Sequence, residues 1–231
     1  MSPLNSSTVR RAVRVWDLPT RLLHWLLAAT VIALVVTGKV GGNATVWHMR
    51  LGCAVLGMLV FRLVWGFAGG HWSRFASFVR GPATVLRHLR GLSRTDEHHD
   101  VGHSPLGALS VLAMLVVLSL QVATGLVADD EIASTGPLNR YVSSATAAAA
   151  THWHKDYGQV LLILLVVLHV AAIVYYRVRH HRNLVQPMLT GDKLVSRDVP
   201  ASMDNRRTRS AAAALALLCA LLAVTVARLG S

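Results

Sequence analysis

The sequence predicts an all-α integral membrane helical bundle, a four-helix core with a fifth transmembrane helix at its C-terminal end. Three observations point there. Apolar residues make up 53% of the chain and its mean hydropathy is +0.47. They gather into five long blocks, as in a membrane protein and unlike a soluble globule. The cations collect in alternate connections between those blocks.

The blocks follow in order. Leu22–Gly38 carries one histidine and no charge. His48–Ala68 contains Arg50 and Arg62, Pro105–Ala128 is uncharged, and Tyr157–Tyr176 carries only His169. Ala211–Ala227 has no charge, and its polar side chains are those of Cys219 and Thr225. A 20-residue helix at ~1.5 Å per residue spans roughly 30 Å, the thickness of the hydrocarbon core. Backbone groups in lipid must be satisfied internally, so each block should be helical. The first block lacks a following A-x-A site and exceeds a usual signal-peptide core, so it reads as a retained anchor. Ala145–Ala150 reads as a short helical approach to the fourth block. The organisation expected is a membrane domain over residues 1–190, with spans at about 22–38, 48–68, 105–128 and 154–176. A cytoplasmic linker (191–210) and an additional span (211–228), read as a packing helix or anchor, follow.

Cations set the orientation. Arg10, Arg11, Arg14 and Arg21 precede the first block; Arg74, Arg80, Arg87, Arg90 and Arg94 follow the second. Arg177, Arg179, Arg182, Lys193, Arg197, Arg206, Arg207 and Arg209 lie between the fourth and fifth. The other loops hold little beyond Lys39 and Arg140, the latter near Asp129, Asp130 and Glu131. By the positive-inside rule the N-terminus is cytoplasmic and the C-terminus periplasmic. The basic balance reflects topology; no soluble domain is evident that would carry a nucleic-acid-binding patch.

Four histidines lie in or beside the blocks: His24, His48, His154 and His169. Ionisable residues at membrane depth are costly and mark function by default. With the N-terminus inside, His24 and His169 lie toward the cytoplasm, and His48 and His154 toward the periplasm. His154 and His169 are fifteen residues apart on one helix, ~22 Å along its axis and about 60° in azimuth. Both can face one bundle interior. His152 remains an alternative to His154, since helix boundaries carry an error of that size.

Each level offers two imidazoles with no carboxylate or thiolate. Zinc usually takes more protein ligands. Two facing imidazoles suit the axial positions of a haem iron, and two axial histidines leave it no open position, which favours electron transfer. Gly52, Gly57, Gly107 and Gly125 offer room for a flat cofactor. Arg62, 14 residues after His48 and near its face, either pairs with a haem propionate or snorkels to the headgroups. His103 reads as a cap or a propionate contact. His71, His88, His98, His99, His180 and His181 read as solvated. Cys53 and Cys219 read as packing residues. The acidic turn Asp129–Glu131 reads as a solvated turn, with docking of a basic electron carrier as its functional alternative.

Four segments carry a resemblance: "WDLPTRLLHWLL" at Trp16–Leu27, "WHMRLGCAVLGMLVFRLVWGF" at Trp47–Phe67, "HSPLGALSVLAMLVVLSLQVATGLVADDEI" at His103–Ile132 and "WHKDYGQVLLILLVVLHVAAIVYY" at Trp153–Tyr176. Together, over residues 12–190, they resemble the bacterial cytochrome b561 / nickel–iron hydrogenase b-type cytochrome family. The resemblance implies two b haems in a four-helix core, axial ligands at His24, His48, His154 and His169, and electron transfer between the quinone pool and a redox partner. That partner would be a periplasmic c-type cytochrome or a hydrogenase, and the location the bacterial inner membrane. The expected role is an electron-transfer subunit. A superoxide:quinone oxidoreductase of the same family, or a haem-free transporter with proton-relay histidines, are the alternatives; transporters tend to show repeats and broken helices.

Overall fold

The computed structural model describes residues 10–90, 101–131 and 134–230. Arg94, His98, His99 and the His88 side chain lie outside the described residues. Among the described residues, five helical stretches are long and apolar enough to cross a membrane. They are α1 (Leu18–Val40), α2 (Ala44–Ala68), α5 (Pro105–Val127), the continuous run Ser144–Arg179, and α9 (Arg206–Arg228). Shorter helices are α3 (Phe75–Phe78), α4 (Pro82–Leu89) and α8 (Val185–Thr190). The run Ser144–Arg179 comprises α6 (Ser144–His152), a π turn at Trp153–Gly158 and α7 (Gln159–Arg179). The chain is an all-α membrane bundle.

Helix starts obey local chemistry. Asp17 caps α1 by accepting from the Thr20 N–H at 2.8 Å, and Pro19 sits in the first turn, where a missing N–H costs nothing. Ser104 caps α5 ahead of Pro105, and Asn205 caps α9. The α1–α2 hairpin turns at Gly41 and Gly42, whose φ values of +65° and +53° are left-handed and suit residues without a Cβ.

One apolar core lies between the helices: Val55 and Leu59 of α2, Val117, Leu118 and Val122 of α5, and Leu162 of α7. A second closes one end of the bundle. There β1 (Arg11–Arg14) pairs antiparallel with β2 (Asp192–Val195), Arg11 opposite Val195. Val13, Val15, Trp16, Trp72, Val101, Val195 and Val199 pack beneath this ladder. The polar segment after α7 is therefore a folded cap. Ser202 Oγ donates to the Val15 carbonyl (2.6 Å) and accepts from the Trp72 N–H (3.2 Å). Arg14 bridges Asp192 and Asp204 at 2.6 and 2.7 Å.

Helix α9 packs along α2. The two backbones approach closely at Gly57, where a Cβ would stand 2.9 Å from the Cys219 carbonyl oxygen and 3.4 Å from Ala223 Cβ. Gly57 thus makes room for α9, not for a cofactor, as small residues do at membrane helix contacts. Cys53 and Cys219 are buried free thiols. A Gly57→Val substitution should force α9 away from α2 and cost about 1–3 kcal/mol, the usual range for overpacking. Thermal unfolding in detergent measures it; an unchanged transition would show that α9 is not held there.

Candidate haem sites

The sequence brings four histidines to two levels of the bundle. His24 on α1 and His169 on α7 face each other with ring centroids 6.4 Å apart and planes at 68°. His48 on α2 and His154 in the π turn stand 6.0 Å apart at 88°. Two imidazoles sharing one metal through bonds of ~2 Å would hold their ring centroids about 6 Å apart. Both pairs fit that spacing. Among the described residues no group of three or more His, Cys, Asp or Glu could hold a metal ion, so the donor set at each level is two imidazoles. That suits a macrocycle which brings its own in-plane ligands.

The second pair is seated by a device used twice. His48 Nδ1 donates to the Leu34 carbonyl at 3.0 Å, and His154 Nδ1 to the Gln121 carbonyl at 2.8 Å. Donation from Nδ1 leaves Nε2 as the free coordinating nitrogen. Each accepting carbonyl lies four residues before a glycine, Gly38 or Gly125, and a threonine precedes each glycine. A Cβ on Gly38 would stand 3.1 Å from His48 Cε1, and one on Gly125 2.8 Å from His154 Cε1. In a helix the carbonyl at i−4 bonds the N–H at i. Removing the Cβ at i bares that carbonyl's second lone pair to a neighbouring helix. Thr37 Oγ1 and Thr124 Oγ1 each lie 3.4 Å from the adjacent Nδ1. Sequence reasoning missed this pattern, although the repeated Val-x-Thr-Gly strings at 35–38 and 122–125 carry its signal.

His152 points elsewhere. It is exposed, bonded to the Asp156 carboxylate at 2.6 Å and edge-on to Tyr157. Gly107 meets only Ser104 and His103 of its own helix start, and nothing lies close to Gly52.

At the His24–His169 level lie two polar atoms without partners. Arg62 is buried at 9% exposure, its guanidinium 4.9 Å from the Phe75 ring centroid, and its Nη1 has no hydrogen-bond partner. His103 is sandwiched between Trp16 and Phe78, with centroids 4.8 and 4.7 Å away, and its Nδ1 is also unpartnered. Burial, with the Arg62 charge next in weight, pushes His103 down to about 3, so it stays neutral. Buried polar atoms are normally satisfied; a carboxylate arriving from a cofactor would satisfy both. His71 stacks edge-on against Trp72, and His180 lies beside Tyr175 and Tyr176. Asp129 is knitted into its turn through Thr151 Oγ1, which donates to its carbonyl and accepts from its N–H.

The chain is similar to known proteins over most of its length. The family model for prokaryotic cytochrome b561 matches residues 15–191. A probable Ni/Fe-hydrogenase B-type cytochrome subunit of Bradyrhizobium diazoefficiens is 23% identical over 215 residues, covering 80% of this chain and 87% of that protein. Its counterpart from Cupriavidus necator is 24% identical over 213 residues, 78% and 86% of the two chains. A probable Ni/Fe-hydrogenase 1 subunit of the same type from Escherichia coli is 24% identical over 136 residues, 48% of this chain and 57% of that protein. No solved structure matches the chain.

Proposed function

The chain belongs to the prokaryotic cytochrome b561 family, membrane b-type cytochromes of electron transfer, and we propose that it carries electrons through two bis-histidine haem b groups between the quinone pool and a redox partner. The observation that carries the proposal is the pair of facing imidazole couples at 6.4 and 6.0 Å. Bound haem supplies reversible one-electron chemistry at iron.

The protein's residues do the rest. His24 with His169, and His48 with His154, would hold the two groups, one couple at each level. Leu34 and Gln121 fix the tautomers of the second couple through their carbonyls. Arg62 would pair with a propionate of the haem at the first couple: its buried, unpartnered Nη1 supports this over a snorkelling arginine. Val55, Leu59, Val117 and Leu162 form an apolar core between the helices. The couples lie ~22 Å apart along α7 and its π turn, so they divide the bilayer between them.

Family membership sets aside the haem-free transporter. The orientation is N-terminus in the cytoplasm, because the arginine-rich connections lie on that side by the positive-inside rule; the membrane is the bacterial inner membrane. The redox partner is a hydrogenase or a c-type cytochrome; the names of the relatives favour the hydrogenase. The test is haem stoichiometry. Purified protein should give a reduced-minus-oxidised b-type α-band at about two haems per chain, read by pyridine haemochromogen against protein mass. A fully haem-loaded preparation that saturates at about one would remove one couple from the proposal.

A further inference from the structure

The glycine-backed seats of His48 and His154 differ at one position. Where α1 has Leu34, α5 has Gln121. Gln121 is 8% exposed, deep in the bundle. Its own carbonyl accepts from His154 Nδ1 at 2.8 Å, while its side-chain Nε2 donates to the His154 carbonyl at 2.8 Å. One residue thus grips His154 by both ring and backbone.

The grip falls where the helix is irregular. His154 lies in the π turn Trp153–Gly158. In a π turn a carbonyl bonds the N–H five residues on instead of four. Gln121 Nε2 adds a side-chain donor to the His154 carbonyl within that turn. Gly158 completes the fit, because a Cβ there would collide with the Gln121 amide and stand 2.8 Å from Trp153 Nε1. The π turn also absorbs one residue of the His154–His169 interval. That leaves 14 ordinary helical steps, about 40° in azimuth instead of about 60°.

We propose that Gln121 is a positioning residue for His154, holding the π turn open and thereby setting the imidazole's plane and the strength of its Nδ1–H···O bond. Among the described contacts no such bond supports His24 or His169, whereas His48 and His154 each donate from Nδ1, so the two sites are electronically unequal, and the Gln121 side chain adds its own grip on His154. The inference rests on the two-haem reading above. A firmer Nδ1 bond makes the imidazole more basic and favours ferric iron, which lowers the potential of that site.

The test uses the full chain in detergent with two variants that disturb the grip from opposite sides. Gln121→Met matches the volume but cannot donate. Gly158→Ala keeps the glutamine and pushes its amide aside. Ferric low-spin electron paramagnetic resonance and a potentiometric titration are read for both haems, with His48→Ala identifying the signal of the His48–His154 site. The expected result, in both variants, is a changed anisotropy and an upward potential shift of that signal, with the His24–His169 signal unmoved. Unchanged signals in both variants, or equal movement of both sites, would overturn the proposal. A wild-type chain with no haem at the His48–His154 couple would overturn the two-haem reading itself, and this inference with it.

Discussion

Replacing Asp17 with alanine is expected to unfold the α1 end of the bundle, with a loss of about 4–5 kcal/mol or more, at the extreme of single-residue effects. Asp17 is fully buried. Its two carboxylate oxygens accept from Thr20 N–H (2.8 Å), Trp65 Nε1 (3.1 Å), Gly70 N–H (2.9 Å) and Ser73 Oγ (2.8 Å). These donors come from three places: the first turn of α1, the last turn of α2, and the turn that follows it. A buried donor left without an acceptor costs roughly 1–3 kcal/mol. The alanine variant strands four at once and removes the α1 cap. Asp17→Asn should be milder, because the amide keeps the volume and one acceptor but turns a second donor toward existing donors. Thermal unfolding in detergent followed by tryptophan fluorescence reads the series directly, Trp65 being one of the partners. Alanine and wild type melting together would show that these bonds are replaced elsewhere.

The five apolar helices were legible because lipid leaves the backbone one choice over such lengths, and the residues needed are contiguous. Their ends were less legible. Block one looked like Leu22–Gly38, but α1 starts at Leu18 because Asp17 caps it, a side-chain role that hydropathy does not register. The segment after α7 looked like a polar linker. It contains β2, whose partner β1 lies near the other end of the sequence, and a four-residue strand has no stable pattern of its own until that partner arrives. Gly57 looked like space for a cofactor and proved to be the contact for α9; a glycine advertises proximity without saying to what. The histidines were visible as costly residues at membrane depth. Their supports were not: the π turn has no composition of its own, and the carbonyls of Leu34 and Gln121 are backbone groups that every residue carries.

Replacing His169 with alanine is expected to halve the haem content, from about two per chain to about one, with the remaining haem held by His48 and His154. The imidazole of His169 stands across from that of His24. Without His169, the His24 imidazole alone would be left of that couple to hold a haem. The other couple lies ~22 Å away along the helix axis, well beyond the range of roughly 7–10 Å within which substitutions usually couple. It should keep its low-spin spectrum. Added imidazole should enter the space vacated at position 169 and restore part of the lost signal, which a globally misfolded chain would not allow. His152→Ala serves as the control: that ring is exposed and bonded to Asp156, so both haems should remain. Should His169→Ala lose both haems with its helical circular dichroism intact, the two couples would not be independent sites, and the assignment of His24 to His169 would have to give way.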